Sequence, residues 1–363
     1  MAKNINYRCL NCGGDLAWNA ELQSWKCEYC DSTFTLEQLE KAGKAEVHEE
    51  SIEKGQEVTG AEKTTDGTSK ASGSTLVEYT CSYCGAKIIT DATTAATFCA
   101  YCQNPIVISE KLVGDFAPDK VIPFAKEKKT VMMEYKKFVK KPLTPKLFFE
   151  QNTVEKLTGV YIPFFLYDMK EAGSVNVRGT RVSTWRDSKN IYTKTDEFQC
   201  EITGSMEYSH VPVDSSSKTD DAAMDSIEPF RFTDMKDFSP AYLAGYLAER
   251  YDEEEEDMQK RAEERIHNTT RQRMLAEAPA YDSASILGDQ LQTSVKQRTY
   301  VLLPTWILNT KYKDKEYLFA MNGQTGKFVG NLPIDIGKLL MYGGGTFIAS
   351  FAVIWGIARL IFG

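Results

Sequence analysis

The chain has 363 residues and a formal net charge of −8 at pH 7, so it can form one sizeable core with small accessory modules. An acidic protein of this kind is not expected to bind nucleic acid through general electrostatic attraction. Eight of its nine cysteines fall in two compact groups, which points to metal ligation rather than to scattered buried thiols.

The two cysteine groups are copies of one pattern, in which two CxxC pairs are separated by fourteen residues. Every cysteine of the second copy lies 72 positions after its counterpart in the first. A fixed offset of this kind indicates a duplicated module. The eight residues are Cys9, Cys12, Cys27, Cys30, Cys81, Cys84, Cys99 and Cys102.

Each copy predicts a four-cysteine zinc ribbon, because two CxxC knuckles on a hairpin can supply the four soft ligands of a tetrahedral zinc ion. Gly13 and Gly85 follow the first knuckle of each copy and suit a positive-φ position. Modules this small depend on metal for much of their folding free energy. Two structural Zn2+ ions are therefore expected. The apolar residues expected to cover them are Leu16, Trp25, Phe34, Ile88, Phe98 and Ile106.

The cysteines could serve three other purposes. Disulfides are disfavoured because nothing at the N-terminus resembles an export signal, and cytosolic thiols are expected to stay reduced. Redox CxxC pairs normally occur singly beside a βαβ pattern, which is absent here. Iron in a rubredoxin-like site remains open, although such sites usually have a longer separation between the knuckles. Cys200 stands alone in a strand-like run and is expected to be a small buried hydrophobe.

Composition divides the chain into five parts. The stretch between the two ribbons is rich in Glu, Lys, Gly, Ser and Thr, so it cannot repay the entropy of ordering and is predicted to be a flexible linker. The linker would let the first ribbon search for a partner. The predicted parts are zinc ribbon 1 (1–42), the linker (43–75), zinc ribbon 2 (76–112), an α+β cytoplasmic core domain (113–337) and a transmembrane tail anchor (338–363).

The first half of the core domain is predicted to begin with two helices, Lys126–Lys140 and Lys146–Leu157. Two hairpin arms, Val160–Tyr167 and Ser174–Trp185, follow with a turn at Gly173. Another β-rich stretch is expected over 190–213.

The second half is predicted to contain one long inserted helix, Ser239–Ala278, because Ser239 can act as its N-cap and Pro240 fits the first helical position. Six consecutive acids, 252–257, would form a solvated face of that helix. An antiparallel hairpin of Tyr300–Leu308 with Tyr317–Met321 follows, and Asn322-Gly323 turns the chain towards a last short strand. The segments 160–165 and 301–306 resemble each other, which suggests a second, weaker repeat whose two β units clasp the helix.

The tail has no charged residue from Leu339 to Ala358. Twenty helical residues span about 30 Å, which matches the hydrocarbon core of a bilayer. A single-pass membrane helix is therefore predicted, with Lys338 and Arg359 at its two boundaries and the N-terminal region cytoplasmic. Small residues at heptad spacing suggest that the helix could self-associate or bind a partner helix. They are Gly345, Ala349, Ala352 and Gly356.

Signals of catalysis are missing. His48, His210 and His267 are the only histidines, and they form no cluster in the sequence. Gly323–Lys327 has the wrong spacing for a phosphate loop and is better explained as a hairpin turn. No nucleophile–base arrangement stands out, so no enzymatic activity is expected. Nine lysines lie between Lys120 and Lys146, which predicts a solvated helix face or a contact with anionic lipid headgroups.

With these features the chain resembles a family of membrane proteins of Gram-positive bacteria that are labelled TFIIB-type zinc-ribbon proteins. The resemblance is carried by the duplicated CxxC pairs, by Gly159–Asp168 and by Tyr300–Asn331. Some members are encoded beside a phage-shock-protein-A-like coat protein and an SPFH-domain (flotillin-like) protein, which implies a membrane adaptor in envelope-stress handling. Labels that mention a primosomal helicase reflect only the cysteine knuckles, since no helicase motor motif exists here.

Two functions from different classes follow. The first is a membrane-anchored adaptor or scaffold that presents protein-binding surfaces at the cytoplasmic membrane face. The alternative is a membrane-tethered regulator that binds nucleic acid through the ribbons. The charges disfavour the alternative, because residues 7–35 carry a net −2 and residues 79–106 a net zero.

Overall fold

The protein is described by a computed structural model that covers residues 4–5, 7–43, 76–80, 87–99, 105–108, 112, 114–150, 153 and 156–362. The predictions for the linker beyond Gly43, for His48 and for Gly85 lie outside these residues. The described helices are α1 (Leu36–Gly43), α2 (Lys128–Val139), α3 (Asp221–Ile227), α4 (Glu255–Ala276) and α5 (Ile336–Phe362).

The described strands form one large mixed sheet and two small antiparallel sheets. The large sheet runs in the order β1-β8-β7-β13-β10-β14-β15-β16, while β11 pairs with β10, and β9 pairs with β12 and β14. The small sheets are β2-β3-β4 and β5-β6. The strands are β1 (Asn4–Ile5), β2 (Leu16–Asn19), β3 (Ser24–Cys27), β4 (Thr33–Phe34), β5 (Leu76–Thr80), β6 (Lys87–Asp91), β7 (Thr94–Phe98), β8 (Pro105–Ile108), β9 (Lys120–Val121), β10 (Thr158–Arg186), β11 (Ile191–Asp214), β12 (Lys236–Asp237), β13 (Leu247–Glu249), β14 (Ser283–Tyr312), β15 (Lys315–Asn322) and β16 (Phe328–Gly330).

Three very long strands, β10, β11 and β14, build an antiparallel arm that extends from the core. At about 3.3 Å per residue, β14 alone is about 95 Å long. The halves of β10 and β14 that pair with each other near Ile162 are buried among aromatic and aliphatic side chains, whereas the far end of the arm is exposed. Helix α4 lies on one face of the arm. It buries a stripe at every fourth position, which is the spacing of one helical face, and the stripe consists of Met258, Ala262, Ile266, Thr270 and Met274.

The α+β composition, helix α2 and the hairpin of β14 with β15 agree with the sequence-based predictions. The predicted turn at Gly173 is wrong, because this residue lies inside the continuous strand β10. A Cβ at this position would be 2.0 Å from the carbonyl oxygen of Gln290 on β14, and the φ angle is +148°. Glycine is therefore needed here for a close approach of two backbones within the sheet, not for a chain reversal.

One predicted helix starts later than expected, and another begins as a 3-10 turn. The segment that begins at Ser239 forms a 3-10 turn, Pro240–Leu243, and then the strand β13, so that the long helix starts only at Glu255. Gly245 between them has a φ of +90°, which interrupts any right-handed helix. The segment after Pro145 forms a 3-10 turn, Lys146–Phe149, whose Phe148 packs against tyrosines of the β14–β15 hairpin.

The register of the large sheet supports the second repeat. Segments 160–165 and 301–306 pair with each other antiparallel, with Ile162 opposite Leu303. Strand β13 runs parallel to β10 at Val160, and β9 runs parallel to β14 at Val301. Each repeat is thus a β-α-β-β unit. The first unit is β9-α2-β10-β11 and the second is β13-α4-β14-β15. The first strand of each unit pairs with the second strand of the other unit. The long helix is the counterpart of α2 in the second unit rather than an insertion between two β units.

We expect Gly173→Ala to lower the free energy of unfolding by about 3 kcal/mol, since the new methyl group must displace the backbone of the neighbouring strand. Gly288→Ala is the matched control on the same arm, because a Cβ there meets nothing within 4 Å. The control is expected to change stability by less than about 1 kcal/mol. Urea denaturation of both variants measures the difference, and equal effects would contradict the close-approach explanation.

Candidate metal centre and its attachment to the core

The first four cysteines lie in two knuckles with the same backbone geometry. In the first, Gly13 has a φ of 74° and donates its N–H to the carbonyl oxygen of Cys9 at 2.8 Å. In the second, Asp31 has a φ of 58° and donates to the carbonyl oxygen of Cys27 at 3.0 Å. The prediction for Gly13 is confirmed. The role of Asp31 was missed, although its place directly after a CxxC pair was the available signal.

The four sulfur atoms of this cluster lie within 4.8 Å of one another. The Sγ atoms of Cys9 and Cys30 are 3.4 Å apart, and those of Cys12 and Cys27 are 3.5 Å apart. These separations are far longer than the S–S bond of a disulfide, which is about 2.05 Å. A tetrahedral ion with metal–sulfur bonds of about 2.3 Å places its sulfurs roughly 3.8 Å apart. The cluster therefore fits a four-thiolate metal centre.

The cluster is half sheltered and half open. Cys9 and Cys27 are buried, while Cys12 and Cys30 are exposed. Hydrogen bonds from the side chain and backbone of Ser32 lower the pKa of the Cys30 thiol to about 6. The side-chain amide of Asn11 donates to the Ser32 hydroxyl at 2.9 Å and so links the two knuckles. Metal ligation requires thiolates, and Cys30 is the cysteine that the hydrogen bonds favour in this form. The backbone of Gly14 acts in the same direction on Cys12, but the neighbouring thiols of Cys30 and Cys27 outweigh it and raise the pKa of Cys12 to about 12.

The hairpin that carries the first cluster is docked on the core. The indole N–H of Trp18 donates to the carbonyl oxygen of Phe124 at 3.0 Å, and that of Trp25 donates to the carbonyl oxygen of Ala241 at 2.8 Å. Both rings contact Tyr242, with centroid distances of 5.2 and 5.1 Å. Docking through two buried hydrogen bonds and three aromatic rings is incompatible with a first ribbon that searches freely for a partner, which corrects that expectation.

Of the second copy, the structure describes Cys99, whereas Cys81, Cys84 and Cys102 lie outside the described residues. Cys99 is buried beside Ile88 and Ile106. Five of the six residues predicted to cover the two sites are buried, whereas Phe98 is 39% exposed and lines a groove beneath the first ribbon. Strands β7 and β8 of this copy belong to the large sheet through the pairing of β7 with β13. The second four-cysteine site stays a prediction.

The C-terminal helix α5 carries the apolar run that was predicted from the sequence. Its segment Ile336–Ile357 has a mean hydropathy of 1.5, and its most apolar stretch is wholly exposed. By length and composition this helix could cross a membrane. It is attached to the core at its start, where Lys338 Nζ donates to the carbonyl oxygen of Thr144 at 2.6 Å. The backbone N–H of Asp335 donates to the carbonyl oxygen of Leu143 at 2.8 Å.

The two described histidines and Cys200 make contacts within the fold. His267 on α4 contacts the buried carboxylate of Glu171 at 3.0 Å and Asp289 at 3.3 Å, which connects the helix to the arm. His210 stacks on Phe232, and Cys200 is half-buried in a small apolar cluster at the arm. Among the residues that the structure describes, only the four cysteines of the first ribbon form a group of potential ligands compact enough for a metal ion. The segment after Asn322 is a hairpin turn between β15 and β16, as predicted.

Fold and site together define an α+β protein with a four-cysteine cluster at one hairpin and an exposed apolar helix at its C-terminus. The chain is 36% identical over 350 residues to a Bacillus subtilis (strain 168) protein named uncharacterized protein YdjG, and the match covers 95% of this chain and 96% of the relative. The chain belongs to the same family as YdjG. No protein-family model matches the chain, and no solved structure matches it.

Proposed function

We propose that the protein is a membrane-anchored zinc-ribbon adaptor that presents protein-binding surfaces at the cytoplasmic face of the cell membrane. The observation that carries this proposal is helix α5, an apolar helix with a wholly exposed hydrophobic stretch that leaves a folded core directly. Exposing so much apolar surface to water is unfavourable, so a hydrocarbon environment is its natural surrounding. In this arrangement the helix crosses the membrane once.

The four-cysteine cluster supports the zinc part of the proposal. A set of four sulfur ligands at tetrahedral spacing selects zinc or an iron–sulfur centre. Structural zinc fits best. The hairpin is small and its buried tryptophans lie at the interface with the core, so a metal ion would supply much of the folding free energy of the module. By its repeated sequence pattern, the second copy would hold a second structural zinc ion. Zinc here would fix the shape of the ribbons and take part in no chemistry.

The far end of the arm supports the adaptor part. Trp185 and Tyr192 stack on each other with a centroid distance of 5.6 Å near its tip, and both rings remain at least 42% exposed. Ile191 beside them is 69% exposed. Exposed aromatic groups on a rigid support are typical of protein interfaces. The resemblance to zinc-ribbon membrane proteins adds phage-shock-protein-A-like and SPFH-domain proteins as the partners to test first, in the context of envelope stress.

The proposal is tested with the full chain in cells. Membranes are washed with alkaline carbonate, and the retained protein is compared with that of a variant that ends at Asp335 and therefore lacks α5. We expect the full chain to remain in the membrane pellet and the truncated chain to appear in the supernatant. In-cell crosslinking through residue 185 or 192 then identifies partners. Release of the full chain by the wash would overturn the membrane anchor, and salt-dependent crosslinking to DNA or RNA alone would favour the nucleic-acid regulator.

A further inference from the structure

Two lysine-rich segments that are far apart in sequence meet the start of helix α5 where it leaves the core. Residues 134–150 and the β14–β15 hairpin meet through Phe148, whose ring lies 5.8 Å from Tyr312 and 5.7 Å from Tyr317. The start of α5 joins them, because the Lys338 ammonium lies 5.9 Å from the centre of the Phe149 ring. The lysine collar is the set of exposed lysines on these two segments, and it includes Lys140, Lys141, Lys146, Lys313 and Lys315.

This end of the molecule is positive although the whole chain is negative. Residues 134–150, 311–316 and 335–338 contain nine lysines and five acidic residues, an excess of +4 in a chain of net charge −8. One of the lysines, Lys137, is paired with Glu134, and Lys311 lies 3.8 Å from Asp314. These segments therefore carry a net positive charge at the base of the apolar helix.

A groove of about 630 Å³ opens in the same place, beside the first turns of α5. One wall carries Lys141, and the rest of the lining is mostly apolar. A cation next to an apolar surface complements an anionic phospholipid, which has a charged headgroup above a glycerol and acyl region. The apolar lining residues are Leu143, Leu332, Ile334, Leu339 and Tyr342.

We infer that the lysine collar and this groove bind anionic phospholipid headgroups of the leaflet that α5 enters. The inference rests on the proposed membrane anchor, which brings the collar to the level of the headgroups. Anionic lipids attract each lysine near the surface, and the groove gives one lipid a fixed position. The collar also supports a cytoplasmic orientation, because basic residues collect on the cytoplasmic side of membrane helices. The sequence near the helix gives no such indication, because Lys338 and Arg359 place one basic residue on each side.

The test uses the full chain in vesicles of phosphatidylcholine that contain spin-labelled lipid. The association of spin-labelled phosphatidylglycerol with the protein is compared with that of spin-labelled phosphatidylcholine. We expect a preference for phosphatidylglycerol of at least fivefold, since a single lysine at the surface contributes about that factor. We expect 0.5 M NaCl to reduce the preference towards unity, because salt screens exposed charges. A wild-type chain without preference, or one whose preference resists salt, would overturn the inference.

In a second variant, Lys140, Lys141 and Lys146 are all replaced by glutamine. If the wild type prefers phosphatidylglycerol by more than tenfold, this variant is expected to reduce the preference at least tenfold. If the wild-type preference is smaller than tenfold, the variant is expected to lose it entirely. The matched control removes the same charge from the arm through Lys189→Gln, Lys194→Gln and Lys296→Gln. Lys296 lies sixteen residues before the end of β14, roughly 50 Å from the collar and far beyond the screening length, so the control should keep the wild-type preference. Equal losses in both variants would contradict a localised site.

Two further comparisons separate the possible failures. Replacing the same three collar lysines by arginine should preserve the preference, because the positive charge remains. If instead the full chain is washed from the vesicles by carbonate, the membrane anchor fails, whereas a retained chain without lipid preference contradicts only the present inference. Should the glutamine variant fail to fold, as judged by thermal unfolding, the salt dependence of the wild type decides.

Discussion

Replacing Cys27 by serine in the full chain is expected to remove one equivalent of zinc and to weaken the core. Cys27 is fully buried, and its sulfur lies 3.5 Å from that of Cys12, so its loss leaves an incomplete ligand set. Structural zinc sites of this kind contribute on the order of 10–16 kcal/mol of apparent binding free energy, most of which is folding free energy of the module. The wild type is expected to hold two zinc ions per chain and the variant one.

The core is affected because the metal module covers part of it. If the hairpin unfolds, Trp18 and Trp25 lose their hydrogen bonds to Phe124 and Ala241 and become exposed. We expect the free energy of unfolding of the core to fall by about 3–5 kcal/mol, the usual effect of losing a large buried aromatic side chain. Tryptophan fluorescence should shift to longer wavelength at the same time. Metal analysis and urea denaturation measure both effects.

Cys200→Ser is the control for this experiment, because Cys200 is half-buried on the arm and lies outside both cysteine groups. It should leave the zinc content unchanged and alter stability by less than about 1 kcal/mol. If Cys27→Ser retains the full zinc content of the wild type, the first ribbon is not a zinc site. If the wild type holds one ion and the variant none, the first site stands and the predicted second site is wrong.

The four-cysteine cluster could largely be predicted from the sequence, because its determinants are local. The CxxC spacing and the glycine after the first knuckle act within a few residues, and the structure brings Cys9, Cys12, Cys27 and Cys30 together as predicted. The attachment of this module to the core was not readable. Trp18 donates to a carbonyl group 106 residues away, and no local pattern specifies such a partner. The first ribbon is therefore docked through long-range packing, which local sequence patterns could not predict.

The prediction of a turn at Gly173 in the arm was wrong for a related reason. Beyond Gly173 the strands β10 and β11 are exposed on much of their surface, so the alternation of polar and apolar residues that marks a strand is weak there. Glycine is ambiguous in such a stretch, because it serves both turns and close backbone contacts. The start of the long helix was misplaced because Ser239 and Pro240 are good helix-start signals, but Gly245 and the burial of Tyr242 and Leu243 favour a different local structure.

The repeat was visible in the sequence only as a short resemblance between segments 160–165 and 301–306. The structure shows why these two stretches are alike, since they pair with each other and occupy equivalent positions in interlocked units. In each unit, one residue of this stretch lies opposite a polar residue at the end of the next strand. Phe164 lies opposite Asp214, and Thr305 lies opposite Asn322. Asp214 and Asn322 are both fully buried, which makes them the sensitive points of the two units.

Asp214 is held by an ion pair at the point where β11 ends. Arg261 on α4 donates through Nη2 to its carboxylate at 2.7 Å, and the Thr219 hydroxyl donates to the other carboxylate oxygen at 3.1 Å. Burial raises the pKa of Asp214 above its usual value, and the bonds from Arg261 offset this only in part. Because the folded state retains the proton more strongly than the unfolded chain, stability from this group declines as the pH rises from the unfolded-state pKa through the folded-state pKa.

We expect Asp214→Ala to lower the free energy of unfolding by about 3–5 kcal/mol, because it leaves the Arg261 guanidinium partly buried without its closest partner. Asp214→Asn should cost less and should lose the pH dependence of this group, since an amide keeps the hydrogen bond with Thr219, and Asn322 fills the equivalent position of the other unit. Arg178→Ala breaks the exposed pair with Glu197 and serves as the control, with an expected change below about 1 kcal/mol. Urea denaturation at pH 5 and pH 8 measures all three variants. An Ala variant no less stable than the control would show that α4 is held to the sheet by its apolar stripe alone.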